Sequence, residues 1–243
     1  MPGNKADIIT QLRKDILPLQ RFKKNRVNTI GEPLPPAITN AFPNAEFPFG
    51  AIHEFIAARA EDTAASSGFI TGILASLMDS SGVTIWISSY RTPFPPALAT
   101  FGLAPDKIIF IDLKKEKEIL WAMEEALKCK GLAAVVGEIT ELSFTASRRL
   151  QLAVEESKVT GFIIRRNPRA INITACIARW KITSLPSDPA DDLPGVGFPR
   201  WNAELLKIRN GKPGKWEIEF AAGHFRHISK MTILQQEQQK KTG

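Results

Sequence analysis

The sequence predicts an α/β fold: a mostly parallel sheet flanked by helices, antiparallel strands at its C-terminal end, and a helical arm in front. Three observations carry this. Short, almost continuously apolar runs recur, VTIWIS at 83–88 and LAAVV at 132–136 among them, and such runs suit strands covered on both faces. Segments of helical periodicity alternate with them, the order expected of parallel strands joined by crossover helices. Past Arg165 the period shortens to two. Trp201, Ala203 and Leu205, then Trp216, Ile218 and Phe220, share a face across the turn Asn210-Gly211-Lys212-Pro213-Gly214, as in a hairpin.

The elements follow in order. Ile8, Leu12 and Ile16 fall at i, i+4 and i+8 with Ile9 beside them, so residues 5–17 read as an amphipathic helix stopped by Pro18. Its apolar side must be buried somewhere, which makes it a candidate docking element, with self-docking as the alternative. Residues 20–32 are a polar, basic linker, and five prolines between 33 and 48 leave room only for a short helix at 37–41. The core then runs strand 51–57, helix 64–78, strand 83–88, short helix 95–101, strand 107–113 and helix 116–129. Ile119, Leu120, Met123 and Leu127 lie on one side of that last helix. Strand 132–136, helix 145–157, strand 160–164 and strand 173–185 follow, then a loop to Pro199 and hairpin strands at 200–209 and 215–221. The final stretch, with QQEQQKK, lacks an apolar period and reads as a tail. The organisation expected is an arm and linker at 1–27, a core at 28–225 and a basic tail at 226–243.

Composition narrows the class. Among 243 residues, 44% are hydrophobic and 23% charged, which excludes a disordered or fibrous chain. The most apolar helical run, Phe69 to Met78, is far short of the roughly 20 residues that span a bilayer. No apolar leader region is visible near the N-terminus. Cys129 and Cys176 are the only cysteines, so neither a disulfide scaffold nor a zinc site is expected. The reading is a reduced, cytoplasmic protein without a membrane partner. Its net charge of +7 is unevenly placed: +5 in residues 1–30, −5 in 31–164, +6 in 165–215, −2 in 216–223 and +3 in 224–243. The basic segments admit an acidic partner, nucleic acid included, though charge alone reports only non-specific attraction.

A phosphate loop needs curled backbone N–H groups, a lysine on the phosphates and a hydroxyl on magnesium. The segment after the first core strand, Ala58-Arg59-Ala60-Glu61-Asp62-Thr63-Ala64-Ala65-Ser66-Ser67-Gly68, has no Gly-Lys-Ser/Thr and carries two acids where a polyphosphate would sit. The Gly-Lys pairs at 211–212 and 214–215 belong to the hairpin. Of three histidines, His53 reads as a core residue, and His224-x-x-His227 lacks a third metal ligand. No nucleophile elbow is present. No catalytic residue, cofactor or metal is therefore assigned. The remaining candidates for DNA or partner binding are basic: Arg148 and Arg149 early in a helix, Arg165, Arg166 and Arg169 after the strand 160–164, and Arg209 and Lys212 in the hairpin. Arginines at a strand's carboxyl end lie where open α/β sheets place ligands. A solvated or partner-facing surface is the competing reading, since no aromatic stacking platform accompanies them.

The order of segments is itself informative. GAIHEF at 50–55, VTIWIS, FGLAPDKIIFIDL, ILWAMEEALKCKGLAAVVGEITELSFTASRRLQLAVEES and TGFIIRR resemble a RecA-like core. LAAVVGEI, LSFTASRRLQLA and RWNAELLKIRNGKPGKWEIEF resemble the ImuA family of RecA-like accessory proteins in bacterial mutagenic translesion synthesis. The resemblance spans residues 28–225. It implies an SOS-type DNA-damage role in a complex with an ImuB-like protein and an error-prone DNA polymerase III alpha-type subunit. RecA, a second copy of the chain and DNA are further candidate partners.

The departures from RecA matter as much. The phosphate loop is missing. RecA's catalytic glutamate would fall near Tyr90, and its magnesium-linked aspartate at Glu138 or Ile139. The connections that would correspond to RecA's DNA-binding loops, after Ile139 and after Arg165, read as only a few residues. The expectation is a non-enzymatic interaction module. A SulA-like cell-division inhibitor and an ATPase with a divergent loop are the alternatives.

Overall fold

The structure is a computed structural model and describes residues 32–78, 82–90, 94–187 and 197–228. The predicted docking helix with Ile8, Ile9, Leu12 and Ile16 lies outside the described residues, as does the chain past 228. Within them the chain forms α1 (Pro36–Thr39), β1 (Ile52–Ala57), α2 (Ala60–Met78), β2 (Val83–Ser88), α3 (Pro95–Ala99), β3 (Ile108–Asp112) and α4 (Glu116–Leu127). Then come β4 (Leu132–Ile139), α5 (Phe144–Ser157), β5 (Thr160–Arg166), β6 (Ala178–Leu185), β7 (Arg200–Ile208), β8 (Gly214–Ala221) and β9 (His224–His227).

One nine-stranded sheet carries them in the order β3-β2-β4-β5-β1-β6-β7-β8-β9. From β3 to β6 neighbouring strands are parallel, and the last three pairings are antiparallel. This is the α/β fold with a C-terminal antiparallel extension that the sequence pattern predicts.

Two apolar cores explain the layering. On one face α2 is buried almost all round, and Phe69, Ile70, Ile73 and Leu74 meet Phe55, Phe162 and Trp180 of the sheet. Burying each such side chain contributes about 1.5–3 kcal/mol. The proline-rich lead-in joins this core: Leu34, Ile38, Phe42 and Phe47 are buried, and Phe47 stacks on His53 with ring centroids 4.5 Å apart. The lead-in is pinned to the hairpin where the Lys212 N–H donates to the Ala41 carbonyl. A Cβ at Gly211 would press on that same carbonyl. On the other face α4 and α5 cover Ile52, Val135 and Ile163 through Ile119, Met123, Leu150 and Val154. Ser143 caps α5 by accepting from the Ala146 N–H at 3.1 Å.

Several boundaries differ from the sequence reading. β4 continues past Val136 through Gly137 and Glu138 to Ile139, because the Glu138 carboxylate accepts from the Trp86 indole at 2.8 Å. β5 continues through Arg165 and Arg166, so these arginines end the strand and do not follow it. β6 starts at Ala178, not Ile173, because the residues before it cross the sheet to bring the chain alongside β1. β9 extends the sheet to His227, past the core boundary placed at 225. Its only apolar residue, Phe225, fills the space left by Gly72 of α2, where a Cβ would stand 2.5 Å from the ring. One apolar residue makes no period, so the sequence pattern is silent about this strand.

Candidate functional site

Open parallel sheets place ligands beyond the carboxyl ends of their strands. Here β1 ends at Ala57 and α2 begins at Ala60, so only Ala58 and Arg59 form the turn. The buried Asp62 folds back over it and accepts from the Arg59 N–H at 3.2 Å. A carboxylate thus sits at the positive end of α2, the place an anionic ligand would otherwise use. Next door, Glu138 is fully buried: one oxygen takes the Trp86 N–H and the other lies 3.7 Å from Arg166. Arg166 also donates to the Ser89 hydroxyl at 2.8 Å and lies over the Tyr90 ring, 5.8 Å from its centroid. Glu138 is therefore engaged within the protein, and Tyr90 faces solvent.

A second charged cluster lies deeper. Glu54 of β1, buried between strands, meets Arg165 of β5 at 2.9 Å and Arg179 of β6 at 2.7 Å. The Thr174 hydroxyl donates to the same carboxylate at 2.8 Å. Arg165 reaches on to Asn172 Oδ1, the Ala170 carbonyl and Glu141. Arg179 reaches the Asn172 carbonyl and Thr174. Asn172 donates to the Leu142 carbonyl at 2.8 Å.

The topology gives this cluster its purpose. β5 and β6 both run parallel to β1, so residues 167–177 must travel from the carboxyl edge back to the amino edge. Such crossovers are usually helical and bury an apolar stripe. This one has no helix and is held by polar anchors to Glu54, Arg165 and α5. The Ala175 N–H donates to the Ser147 hydroxyl at 2.9 Å. Lys207 and Arg209 of the hairpin donate to the Thr174 and Ala175 carbonyls.

The basic candidates do not form one surface. Arg165 is wholly buried and ion-paired, which corrects its reading as a DNA or partner contact: its donors face Glu54, Glu141, Asn172 and neighbouring carbonyls. Arg166 and Arg169 lie toward the carboxyl edge, Arg169 with its backbone N–H on Glu141. Arg209 and Lys212 lie at the opposite edge, because β7 ends where β1 and β6 begin. Arg148 and Arg149 are on the outside of α5, paired with Glu155 and Glu124 at 3.7 and 2.6 Å; the exposed Arg148–Glu155 pair is worth about 0–1 kcal/mol. The connection after β5 is also longer than a few residues, and it is fastened to the fold, not projected from it.

Sequence reasoning missed Glu54, Asn172, Thr174 and Arg179. One signal was present: a glutamate inside the apolar run Ile52–Ala57, since a carboxylate in a strand covered on both faces requires a cation beside it. Burial also sets the neighbouring titrations. It lowers His53 to about 4, against the hydrogen bond to the Pro48 carbonyl. It raises Cys176 to about 12, helped by the charge of Glu54. Among the described residues no cluster of His, Cys, Asp or Glu is placed to hold a metal ion, and no helix is long and apolar enough to cross a membrane.

The fold is a RecA-like α/β sheet in which only two residues separate the first strand from the helix that follows it. The solved RadB recombinase superposes with a TM-score of 0.52 over 76% of this chain and 93% of its own, at 13% identity, a likeness of fold alone. No family model matches the chain. ImuA of Caulobacter vibrioides, in two strains, is 35% identical over 205 residues, covering 79% of this chain and 84% of that protein. The chain belongs to the ImuA family.

Proposed function

We propose that the protein is a non-enzymatic accessory factor of mutagenic DNA synthesis. In this reading a RecA-like core serves as a scaffold that joins an ImuB-like protein and an error-prone polymerase after DNA damage. Kinship with ImuA supports the pathway. The observation that carries the absence of catalysis is the turn after β1, two residues long and stoppered by Asp62. It supplies neither the curled backbone nor the lysine that phosphoryl transfer requires. The engagement of Glu138 by Trp86 and Arg166 points the same way.

Two measurements test the reading. The full chain, co-expressed with the ImuB-like protein, is expected to elute with it as one complex in gel filtration. Equilibrium dialysis against labelled ATP and magnesium is expected to show no saturable binding. Separate elution would remove the scaffold role, and micromolar ATP binding would restore the ATPase alternative.

A further inference from the structure

The crossover 167–177 exposes what a helical crossover would bury. Ile171 and Ile173 are 56% and 76% exposed, while Asn172 between them is tied inward to Arg165 and the Leu142 carbonyl. Thr174, next in line, is held on Glu54. The alternation leaves two β-branched side chains pointing outward from a backbone fixed on both sides. Phe144, two residues beyond the Leu142 that Asn172 grips, is 55% exposed and adds a third apolar group. Branched side chains on an anchored backbone lose little entropy on contact, which favours a preformed docking surface.

The charge around this patch selects the occupant. Glu54, fully buried, and Glu141, 45% exposed, balance Arg165 and Arg179. Beyond these pairs the crossover bears Arg169, and the flanking hairpin strand presents Lys207 and, just past its end, Arg209. Lys207 and Arg209 are held on the crossover's own carbonyls, so they frame the isoleucines at fixed positions. The apolar centre thus has a cation toward the carboxyl edge, Arg169, and two toward the amino edge, Lys207 and Arg209, at either end of the crossover. The geometry points to a docking site for an acidic peptide segment of a partner protein, its apolar side chains on Ile171, Ile173 and Phe144 and its carboxylates on Arg169, Lys207 and Arg209. A nucleic acid fits less well. The centre has no exposed aromatic stack beyond Phe144 to receive bases. The inference rests on this surface alone and holds whichever protein supplies the peptide.

The test pans a random peptide display library on the full chain and measures the enriched peptides by fluorescence anisotropy, with a single-stranded oligothymidine run in parallel. Enriched peptides are expected to combine Asp or Glu with Leu, Ile, Val or Phe. They should bind the double variant Ile171→Asp, Ile173→Asp about tenfold or more weakly and bind Lys117→Glu, an exposed change on α4, as they bind the wild type. Both isoleucines are exposed, so the double variant should keep the wild-type circular dichroism and Tm. Failure to enrich any peptide overturns the proposal, and so does enrichment of peptides without acidic residues or indifference to the double substitution. Oligothymidine binding that the double variant abolishes, with no peptide behaving as described, would assign the patch to nucleic acid instead.

Discussion

Arg165 shows how a residue type can mislead at a position where the fold has another use for it. On the surface an arginine at a strand's carboxyl end suggests a phosphate contact. Here it is fully buried between Glu54 and Glu141. Arg165→Ala leaves part of a buried charge uncompensated and is expected to destabilise the protein by about 3–5 kcal/mol. Arg169→Ala, exposed and four residues on, should change stability by no more than about 0.5 kcal/mol. Urea unfolding of the two variants checks the contrast, and equal effects would contradict the buried network. A loss of DNA binding in Arg165→Ala would accordingly report unfolding and not a lost contact. His53 makes a second prediction at this scale. Its ordinary value is 6.5 and burial lowers it to about 4, so between those values the unfolded chain takes up a proton that the folded chain refuses. The stability it contributes is complete above pH 6.5 and declines as pH falls toward 4. His53→Phe, retaining the stack on Phe47 and Phe162, should flatten that decline in Tm-against-pH measurements. An unchanged slope would show that His53 is not the titrating group.

Among the elements, the parallel strands and their helices were legible because each carries its own apolar period. VTIWIS, KIIFIDL and the stripe Ile119, Met123, Leu127 stand where the pattern placed them. What the pattern missed depends on partners distant in sequence. Glu138 stays in β4 because Trp86, 52 positions earlier, donates to it. Residues 173–177 read as the start of the strand 173–185, yet the fixed shape of the crossover 167–177 comes from polar bonds to β1 and α5. β9 is legible only from its host: Phe225 packs against Phe69, Trp201 and Phe220 above Gly72. Gly72→Val should therefore crowd Phe225, cost about 1–3 kcal/mol and speed amide exchange in β8 and β9. Unchanged exchange in those strands would mean that Gly72 does not seat them.

At the scale of the whole molecule, the RecA-like sheet persists while its carboxyl edge is closed by the protein's own side chains. Asp62 stoppers the turn after β1, and Trp86 and Arg166 occupy Glu138; deeper in the sheet, Arg165 and Arg179 occupy Glu54. The acids after β1, Glu61 and Asp62, were legible in the sequence as a local feature. The sequence did not reveal how thoroughly the neighbouring polar groups are paired, because those pairs join strands far apart along the chain. A core closed in this way should bind its partner without a nucleotide switch. Titration calorimetry of the full chain with the ImuB-like protein, in EDTA and again with magnesium and ATP, tests this most directly. The affinity should be the same in both; a tightening of about tenfold or more with ATP, roughly 1.4 kcal/mol of coupling, would contradict it.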